Sequence, residues 1–526
     1  MAERVSGGRG EVRQFVDRLG VLGELLCSGI LAGLAALVNV LGVVAFAHAL
    51  EPAAFGLLAL SRRVGAFTAS ISNLNGHLAV SRYLGFHRSE PEMRSATLAV
   101  GTGLLLLVPL LSDLFFQLLR LVAAGVSWAQ MLDGSMWQAT SWFAAALSSG
   151  LVVFSILRGL GHPQAANLQQ LSFAALLLLL AFGARGREVA TLVAWGAAGS
   201  MAINLAYYAW VLVRHRREWV RPSRPALRRA VRDTLGYSLP RLADGPCQAS
   251  LPLIGLLLAP AIGGLTLTGY VHIGQTLVRM TEVLVVPLSV VFLPLTAHHV
   301  RQGQTALLER QAQQIYDGVI LLGSFVGMQL LAWAPSLLEV AFGTRYAGAE
   351  IFLRWTLPSI LPYLLYAGFR SFIDGSSVRP VNFLHLLVAS AVVLAATLTL
   401  GRLGGGAGIA IAYTLGVAVL GLLTVLYVRR RFSVRALPAH LWQTFAVVVL
   451  GGVFSLAVAT LASGSIGTRI ALCAASQIVC VWAAVRFLQR VQHPTLVYMA
   501  MKLRGALGRE GEEPAETGVG RQAALA

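Results

Sequence analysis

The chain has 526 residues, of which 56% are hydrophobic and only 12% are charged, and its mean hydropathy is +0.70. A water-soluble protein of this length needs far more polar surface, so the composition excludes that class and predicts a polytopic membrane protein. The formal net charge of +18 is typical of arginine-rich loops that orient helices in a membrane, and we expect no nucleic-acid partner.

Apolar stretches of spanning length follow one another along the chain and predict an all-α fold with about fourteen transmembrane helices. The predicted spans are 21–48, 54–80, 95–119, 136–158, 164–184, 189–213, 236–259, 264–294, 316–341, 350–372, 381–400, 405–428, 440–463 and 467–489. With the N-terminus inside, about thirty basic residues fall on the cytoplasmic side and about seven on the other. We therefore expect both termini in the cytoplasm.

The long basic connection after the sixth span divides the first twelve spans into two sets of six. The predicted domains are a cytoplasmic N-terminal segment (1–20), an N-terminal six-helix bundle (21–213), a basic cytoplasmic linker (214–235), a C-terminal six-helix bundle (236–428), two additional transmembrane helices (429–490) and a largely disordered cytoplasmic tail (491–526). The basic face of the linker suits anionic lipid headgroups.

The two sets of six spans resemble each other. Residues 55–58 (FGLL) open the second span much as residues 268–271 (TGYV) open the eighth, and the turn at 157–167 resembles that at 373–383. Because each half has six spans, the repeat is parallel, about an axis along the membrane normal. The second and eighth spans are then equivalent, and we expect them to line a cavity between the bundles.

Four segments carry the resemblance to a known family. They are 51–85, with a Pro-x-x-Phe-Gly turn before a span ending in Arg-Tyr; 157–170; 341–355, with a Phe-Gly-x-x-Tyr-x-x-Ala pattern; and the Gly/Ala-rich 404–416. In this order they resemble bacterial polysaccharide flippases, the Wzx-like branch of the multidrug/oligosaccharidyl-lipid/polysaccharide (MOP) exporter superfamily. Where that family usually has a proline and an aromatic residue, this chain has Gly401-Arg402-Leu403, and only some members have two further spans.

The resemblance implies a MATE-like fold in the bacterial cytoplasmic (inner) membrane and a flippase rather than an enzyme, with no catalytic residues, cofactor or metal. The substrate would be a polyprenyl-diphosphate-linked oligosaccharide for cell-surface polysaccharide. Its sugar and diphosphate would cross in a central cavity while the two halves rock. The implied partners are this lipid-linked glycan, membrane lipids, a coupling ion (H⁺ or Na⁺) and the polysaccharide polymerase machinery.

Four arginines within the predicted spans are candidate ligands of the diphosphate, because guanidinium groups suit phosphate oxygens and are costly in lipid. They are Arg62, Arg63, Arg241 and Arg279. Arg62 and Arg63 have no acidic residue at i±3 or i±4 on their own helix, which favours the ligand interpretation.

The alternative for the other two arginines is intrahelical pairing at i, i+3, between Arg241 and Asp244 and between Arg279 and Glu282. We favour pairing for Arg241, near a span end, and ligand contact for Arg279, at mid-span. Glu24, Glu282 and Asp244 are the candidates for ion coupling.

Two other functions compete with the flippase. A MATE-like drug/ion antiporter for cationic drugs would favour a net acidic cavity, whereas arginines outnumber acids in these spans. A membrane-embedded glycan polymerase or ligase tends to carry a long outer loop with catalytic residues, and no outer connection exceeds about sixteen residues between the predicted spans.

Overall fold

The computed structural model describes residues 27–123, 125–285, 296, 299–300, 303–377, 380–434, 439–461 and 466–490. The predicted N-terminal segment, Glu24, the end of the predicted eighth span and the predicted C-terminal tail lie outside the described residues. Within those residues the chain forms helices and turns and no strand, which confirms the all-α prediction.

The helices are numbered in chain order, and short 3₁₀ segments join several of them. The helices are α1 Cys27–Ala49, α2 Pro52–Ser72, α3 Gly76–Phe86, α4 Pro91–Ala123, α5 Ser127–Gln130, α6 Gly134–Gly159, α7 Pro163–Phe182, α8 Val189–His215, α9 Arg224–Ser238, α10 Asp244–Met280, α11 Thr305–Phe342, α12 Glu350–Thr356, α13 Ile360–Ser376, α14 Val381–Phe432, α15 Ala439–Leu461 and α16 Ile466–Arg490. The 3₁₀ segments are Leu239–Arg241, Thr281–Leu284, Thr344–Ala349 and Leu357–Ser359.

The predicted number of spans is confirmed, but several spans are joined or broken. The seventh and eighth spans are both in α10, which bends at Gly263 and Gly264, and the eleventh and twelfth are both in α14, which bends at Gly405. Gly264 (φ 72°) and Gly405 (φ 55°) adopt left-handed backbone that glycine reaches without steric cost. Some helices contain two predicted spans, and other predicted spans are divided between two helices. Eight described helices are therefore long and apolar enough to cross a membrane by themselves.

The second span is broken in its second part. It runs through α2 and α3, and between them Leu74 (φ 48°) and Asn75 (φ 53°) interrupt the helix with left-handed backbone. The Asn75 side chain uses this break to donate a hydrogen bond to the carbonyl oxygen of Arg241, at the start of the second set of spans. The break therefore occurs where the two sets of spans touch.

Local sequence accounts for several helix starts. Pro52 and Pro163 open α2 and α7, where a missing N–H costs nothing. Asp133 caps α6: its carboxylate accepts hydrogen bonds from the Met136 N–H (2.7 Å) and the Ser135 hydroxyl (2.7 Å). Both hydrogen bonds lower the pKa of Asp133, and the bond from Met136 has the larger effect.

The chain forms two compact units. The first ends at Val434 and contains α1 to α14; the second begins at Arg435 and contains α15 and α16, which pack against each other. In this second unit the Cys480 thiol lies 3.5 Å from the Ser455 hydroxyl.

The two halves of the first unit, α1–α8 and α10–α14, cross where the sequence repeat places equivalent glycines. A Cβ atom at Gly56 of α2 would lie 1.8 Å from the Leu265 carbonyl oxygen, and one at Gly269 of α10 would lie 3.0 Å from the Pro52 carbonyl oxygen. Positions 56 and 269 are separated by 213 residues, as are 52 and 265. The contact is thus the same on both sides of the pseudo-axis, and only glycine allows these backbones to approach so closely.

Other contacts between the halves surround this crossing, at what we call the glycine end. The His48 ring Nε2 lies 3.0 Å from the Ala341 carbonyl oxygen, and the Tyr346 hydroxyl donates to the Leu50 carbonyl oxygen (3.5 Å). The Phe55 ring packs against both His272 and Tyr346, with 5.7 Å between ring centroids in each pair. The halves are therefore held together at the glycine end.

The basic connection between the halves is ordered along the opposite end, which we call the α9 end. Helix α9 packs on α3 and α4 through its small residues, including Ala226 and Ala230. Glu218, just before it, accepts a hydrogen bond from Arg94 of α4 (3.0 Å) and lies 3.0 Å from His215 Nδ1. Hydrogen bonding from His215, with the nearby charge of Arg94, lowers the pKa of Glu218. The connection is therefore fastened to the first half.

The exposed surface of α9 is both apolar and basic. Leu227, Val231, Leu235 and Leu239 recur every four residues and remain exposed. Arg224, Arg228, Arg229 and Arg232 are exposed beside them. This combination is typical of a helix that lies in the membrane interface.

The glycine crossing leads to a testable stability difference. Gly56→Ala forces the α2 and α10 backbones apart, and overpacking of this kind costs about 1–3 kcal/mol. The matched control is Gly103→Ala on α4, where a Cβ would meet nothing within 4 Å. We expect a lower thermal unfolding midpoint in detergent for Gly56→Ala and an unchanged or higher one for Gly103→Ala. Equal midpoints for the two variants would contradict the close approach.

Candidate functional site

Three of the four predicted arginines come together inside the first unit. Arg62 and Arg63 lie in the middle of α2, and Arg279 lies near the end of α10. Arg63 is close enough to both Arg62 and Arg279 for the three positive charges to repel one another. All three side chains are half-buried although they lie deep among protein atoms. Part of the surface of each arginine therefore remains accessible.

Two features of the fold place these arginines. The Gly56–Gly269 crossing fixes the relative height of α2 and α10, and Arg63 follows it by seven residues, about 10 Å along the helix. Next to the arginine pair, the buried hydroxyls of Ser61 and Thr140 are 2.6 Å apart and tie α2 to α6. The α2 arginines are therefore anchored to the first half, while Arg279 belongs to the second half.

Glu282 is hydrogen-bonded to Tyr363 and does not form a close ion pair with Arg279. The Tyr363 hydroxyl of α13 donates a hydrogen bond of 2.6 Å to Glu282 Oε2. In the described part of the chain, no Arg279 nitrogen lies within 4.0 Å of a Glu282 oxygen, and the two interact only at longer range. The α-helix ends at Met280 and continues as a 3₁₀ segment, which changes the direction of Glu282. The i, i+3 ion pair considered from the sequence is therefore not formed.

Buried polar side chains complete the surroundings of the arginines. Tyr363 and Tyr413 are 5% and 3% exposed, and both interact electrostatically with Arg63 and Arg279. His272 is 6% exposed and its Nδ1 has no hydrogen-bond partner within the described structure. We call these residues, with Arg62, Arg63, Arg279 and Glu282, the central cluster.

The central cluster has an excess of positive charge and of unused hydrogen-bond capacity. It contains three guanidinium groups, which cannot be deprotonated in a protein, and one carboxylate. The Arg63 Nε is buried and unpartnered within the described structure, like the Nδ1 of His272. Buried polar atoms without partners are rare and mark places where water or a ligand completes the hydrogen bonds. The chemistry of this cluster suits an anion with several oxygen atoms.

Arg241 lies elsewhere, at the α9 end. Its guanidinium stacks on the Tyr237 ring, 4.4 Å from the centroid, and Arg82 of α3 lies 4.7 Å from the same centroid. Asp244 interacts electrostatically with Arg241, as the sequence suggested, and also with Asp374 of α13. The four predicted arginine ligands are therefore divided into three in the central cluster and one at the α9 end.

The sequence analysis missed the residues that connect these two regions. Arg370, Asp374 and the tyrosines of α13 were not singled out. In the structure Asn382 of α14 donates hydrogen bonds to the Asp374 carboxylate (2.8 Å) and to the Arg370 carbonyl oxygen (3.0 Å). The available signal was the helical spacing of Tyr363, Tyr366, Arg370 and Asp374, which places four polar residues on one face of an apolar span.

No group of three or more His, Cys, Asp or Glu side chains in the described ranges could hold a metal ion. Glu24, the remaining ion-coupling candidate, lies outside the described residues. Within the described residues, Glu282 and Asp244 are thus the predicted acidic candidates that have a defined environment.

Comparison with known proteins identifies the fold. No family model matches the chain, and no curated protein matches its sequence. Among solved structures, the lipid II flippase MurJ in an inward closed conformation matches with a TM-score of 0.67 and 11% identity, covering 89% of this chain and 100% of that one. An inward-facing multidrug resistance MATE family transporter of the MOP superfamily matches with a TM-score of 0.60 and 15% identity, covering 76% and 94%.

A third solved structure, the Vibrio cholerae MATE transporter VcmN in its bent form, has a TM-score of 0.52 and 13% identity, and the match covers 79% of this chain and 98% of that one. At these identities the similarity concerns architecture. The chain has the fold that MATE transporters and the lipid II flippase MurJ share.

Proposed function

We propose that the protein is a Wzx-like flippase of the MOP exporter superfamily. It moves a polyprenyl-diphosphate-linked oligosaccharide across the bacterial cytoplasmic membrane for cell-surface polysaccharide synthesis. The observation that carries this proposal is the convergence of Arg62, Arg63 and Arg279, whose side chains stay partly accessible. MurJ, whose fold this chain shares, is a lipid II flippase.

The charge of the central cluster favours an anionic cargo. A diphosphate that leaves water needs cationic partners, and arginine offers a planar set of donors that fits phosphate oxygens. The α2 arginines and Arg279 come from opposite halves, so a diphosphate between them would contact both. The sugar would occupy the same cavity, and the prenyl tail would stay in lipid.

The antiporter alternative is less well supported by the same geometry. A cavity for cationic drugs needs uncompensated carboxylates, but the one carboxylate of the central cluster, Glu282, already accepts a hydrogen bond from Tyr363. Three arginines in its vicinity would repel a cation. No contact among the described residues favours a membrane-embedded glycan polymerase or ligase.

Movement would follow from rocking of the two halves, with the predicted boundaries 21–213 and 236–428 and the basic linker 214–235 between them. We assign the glycine end to the outer face and the α9 end to the cytoplasm, because the basic residues concentrate at the latter. The halves would part at the glycine end to release the cargo. Binding of H⁺ or Na⁺ to Glu282 or Asp244, or to Glu24, would couple the movement to an ion gradient, and the polysaccharide polymerase would use the delivered glycan.

The cellular test is deletion of the gene followed by extraction of prenyl-linked glycan. We expect complete repeat units to build up in the inner leaflet, because synthesis continues on the cytoplasmic side while transfer stops. Restoration of the normal distribution by the intact gene is the control. Normal polymer output combined with altered drug sensitivity would exclude the flippase and favour the antiporter.

The arginine contacts can be tested one residue at a time. Arg63→Ala and Arg279→Ala should each weaken diphosphate binding by about 10- to 100-fold, the effect of one charge-assisted hydrogen bond, and should stop glycan export at unchanged protein level. The matched control is Arg354→Ala, because Arg354 is 62% exposed and pairs with Glu350 on the surface. Full complementation by Arg279→Ala would remove that residue from the ligand site.

Glu282→Gln separates an anionic from a cationic cargo. Removing this carboxylate makes the central cluster more positive, so binding of inorganic diphosphate should be retained or tightened. An antiporter that uses Glu282 to bind a cationic drug would lose its transport instead. Weaker diphosphate binding by Glu282→Gln, at an unchanged unfolding midpoint, would contradict the proposed role of the cluster.

A further inference from the structure

A polar face of α13 connects the central cluster with the α9 end. Tyr363, Tyr366, Arg370 and Asp374 are spaced by three or four residues and lie on the same side of the helix. Tyr363 bonds to Glu282 of the central cluster, whereas Asp374 interacts with Asp244 at the α9 end. Arg370 lies between them and interacts electrostatically with both Glu282 and Asp374.

Arg370 is not used in a close ion pair. In the described ranges no carboxylate oxygen lies within 4.0 Å of its guanidinium group. Asp374, one turn along the helix, has its carboxylate held by the Asn382 side chain (2.8 Å). The Arg370 side chain is half-buried, and its donors are not taken up by an ion pair among the described residues.

Two buried polar atoms without partners lie near Arg370. The Tyr366 side chain is 2% exposed, and no acceptor or donor in the described structure contacts its hydroxyl. Tyr366 lies one helical turn before Arg370, on the same face of α13. His77 of α3 interacts electrostatically with Arg370, and its buried Nδ1 has no partner among the described residues. The three groups come from both halves of the first unit.

The shared chemistry of these groups identifies the ligand class. A guanidinium group, a phenolic hydroxyl and an imidazole N–H can all donate hydrogen bonds. Buried hydroxyl and ring nitrogen atoms normally have partners, and here only a bound molecule or water can supply them. A phosphate group has enough acceptor oxygens for all three donors, and arginine binds such groups in two-point contacts.

We propose that His77, Tyr366 and Arg370 form a second phosphate-binding site, which holds the diphosphate between the α9 end and the central cluster. This rests on the proposed function, because it gives the diphosphate of that cargo an intermediate position. The site has one arginine and lies near Asp374 and Asp244, whereas the central cluster has three arginines and one acid. The second site therefore binds the diphosphate more weakly than the central cluster does. Weaker binding lets the ligand move on from this position.

The test is equilibrium binding of radiolabelled inorganic diphosphate to the full-length protein in lipid nanodiscs. We expect two classes of sites in the wild type. Arg370→Gln removes the weaker class and leaves the tighter one, and Tyr366→Phe weakens the weaker class by about 10-fold through loss of one hydrogen bond to a charged group. Arg279→Gln weakens the tighter class alone, by about 10- to 100-fold, and Arg354→Gln leaves both classes unchanged.

Each outcome distinguishes this site from the proposed function. A single class that is weakened in Arg279→Gln and unaffected by Arg370→Gln and Tyr366→Phe overturns the second site and leaves the flippase proposal intact. A weaker class without a tighter one supports the second site and removes the central cluster as the diphosphate site. Absence of binding in the wild type overturns both. Because Tyr366→Phe removes only a hydroxyl group, its unchanged unfolding midpoint shows that a loss of binding is not a loss of folding.

Discussion

The positive charge that the central cluster must keep inside an apolar bundle is the constraint on which the rest of the structure depends. Guanidinium groups do not lose their protons in proteins, and a charge at the centre of a bilayer costs several kcal/mol even on lenient scales. Arg62, Arg63 and Arg279 repel one another, and the nearby Glu282 is bonded to Tyr363. The cluster is therefore tolerable only beside water or an anion, which requires a cavity.

This requirement explains features of the fold at some distance from the arginines. The Ser61–Thr140 contact holds the α2 pair in place against α6, and the glycine crossing prevents α2 from sliding along α10. Apolar side chains at positions 56 and 269 would separate these helices and widen the bundle above the cluster. Glycine at each crossing position thus keeps these arginines near one another on two helices that belong to different halves.

Much of the fold could be predicted from the sequence because a membrane leaves few choices for the backbone. Spanning length predicted the helices, and the 213-residue offset between Gly56 and Gly269 indicated that the second and eighth spans are equivalent. Charge within the predicted spans marked Arg62, Arg63 and Arg279 as candidate ligands. Each of these inferences used a local pattern with a direct physical cause.

The remaining parts of the site depend on contacts that no local pattern records. The bond between Tyr363 and Glu282 joins residues 81 positions apart. Arg370 was not singled out because it lies near a predicted span end, where arginines usually face water. Arg241 was grouped with the other arginines, but the 3₁₀ segment before α10 keeps it at the α9 end. These differences arise from changes of helix type and direction, which hydropathy does not predict.

The hydrogen bonds that join the two halves at the glycine end determine part of the free energy needed to separate the halves there. Two side-chain hydrogen bonds, from His48 and Tyr346, join the halves there within the described part of the chain. Bonds of this kind contribute together about 1–3 kcal/mol. Moving one elementary charge through a potential of about 100 mV supplies about 2.3 kcal/mol. The polar contacts at this end are therefore weak enough for the electrical work of a single charge to offset them.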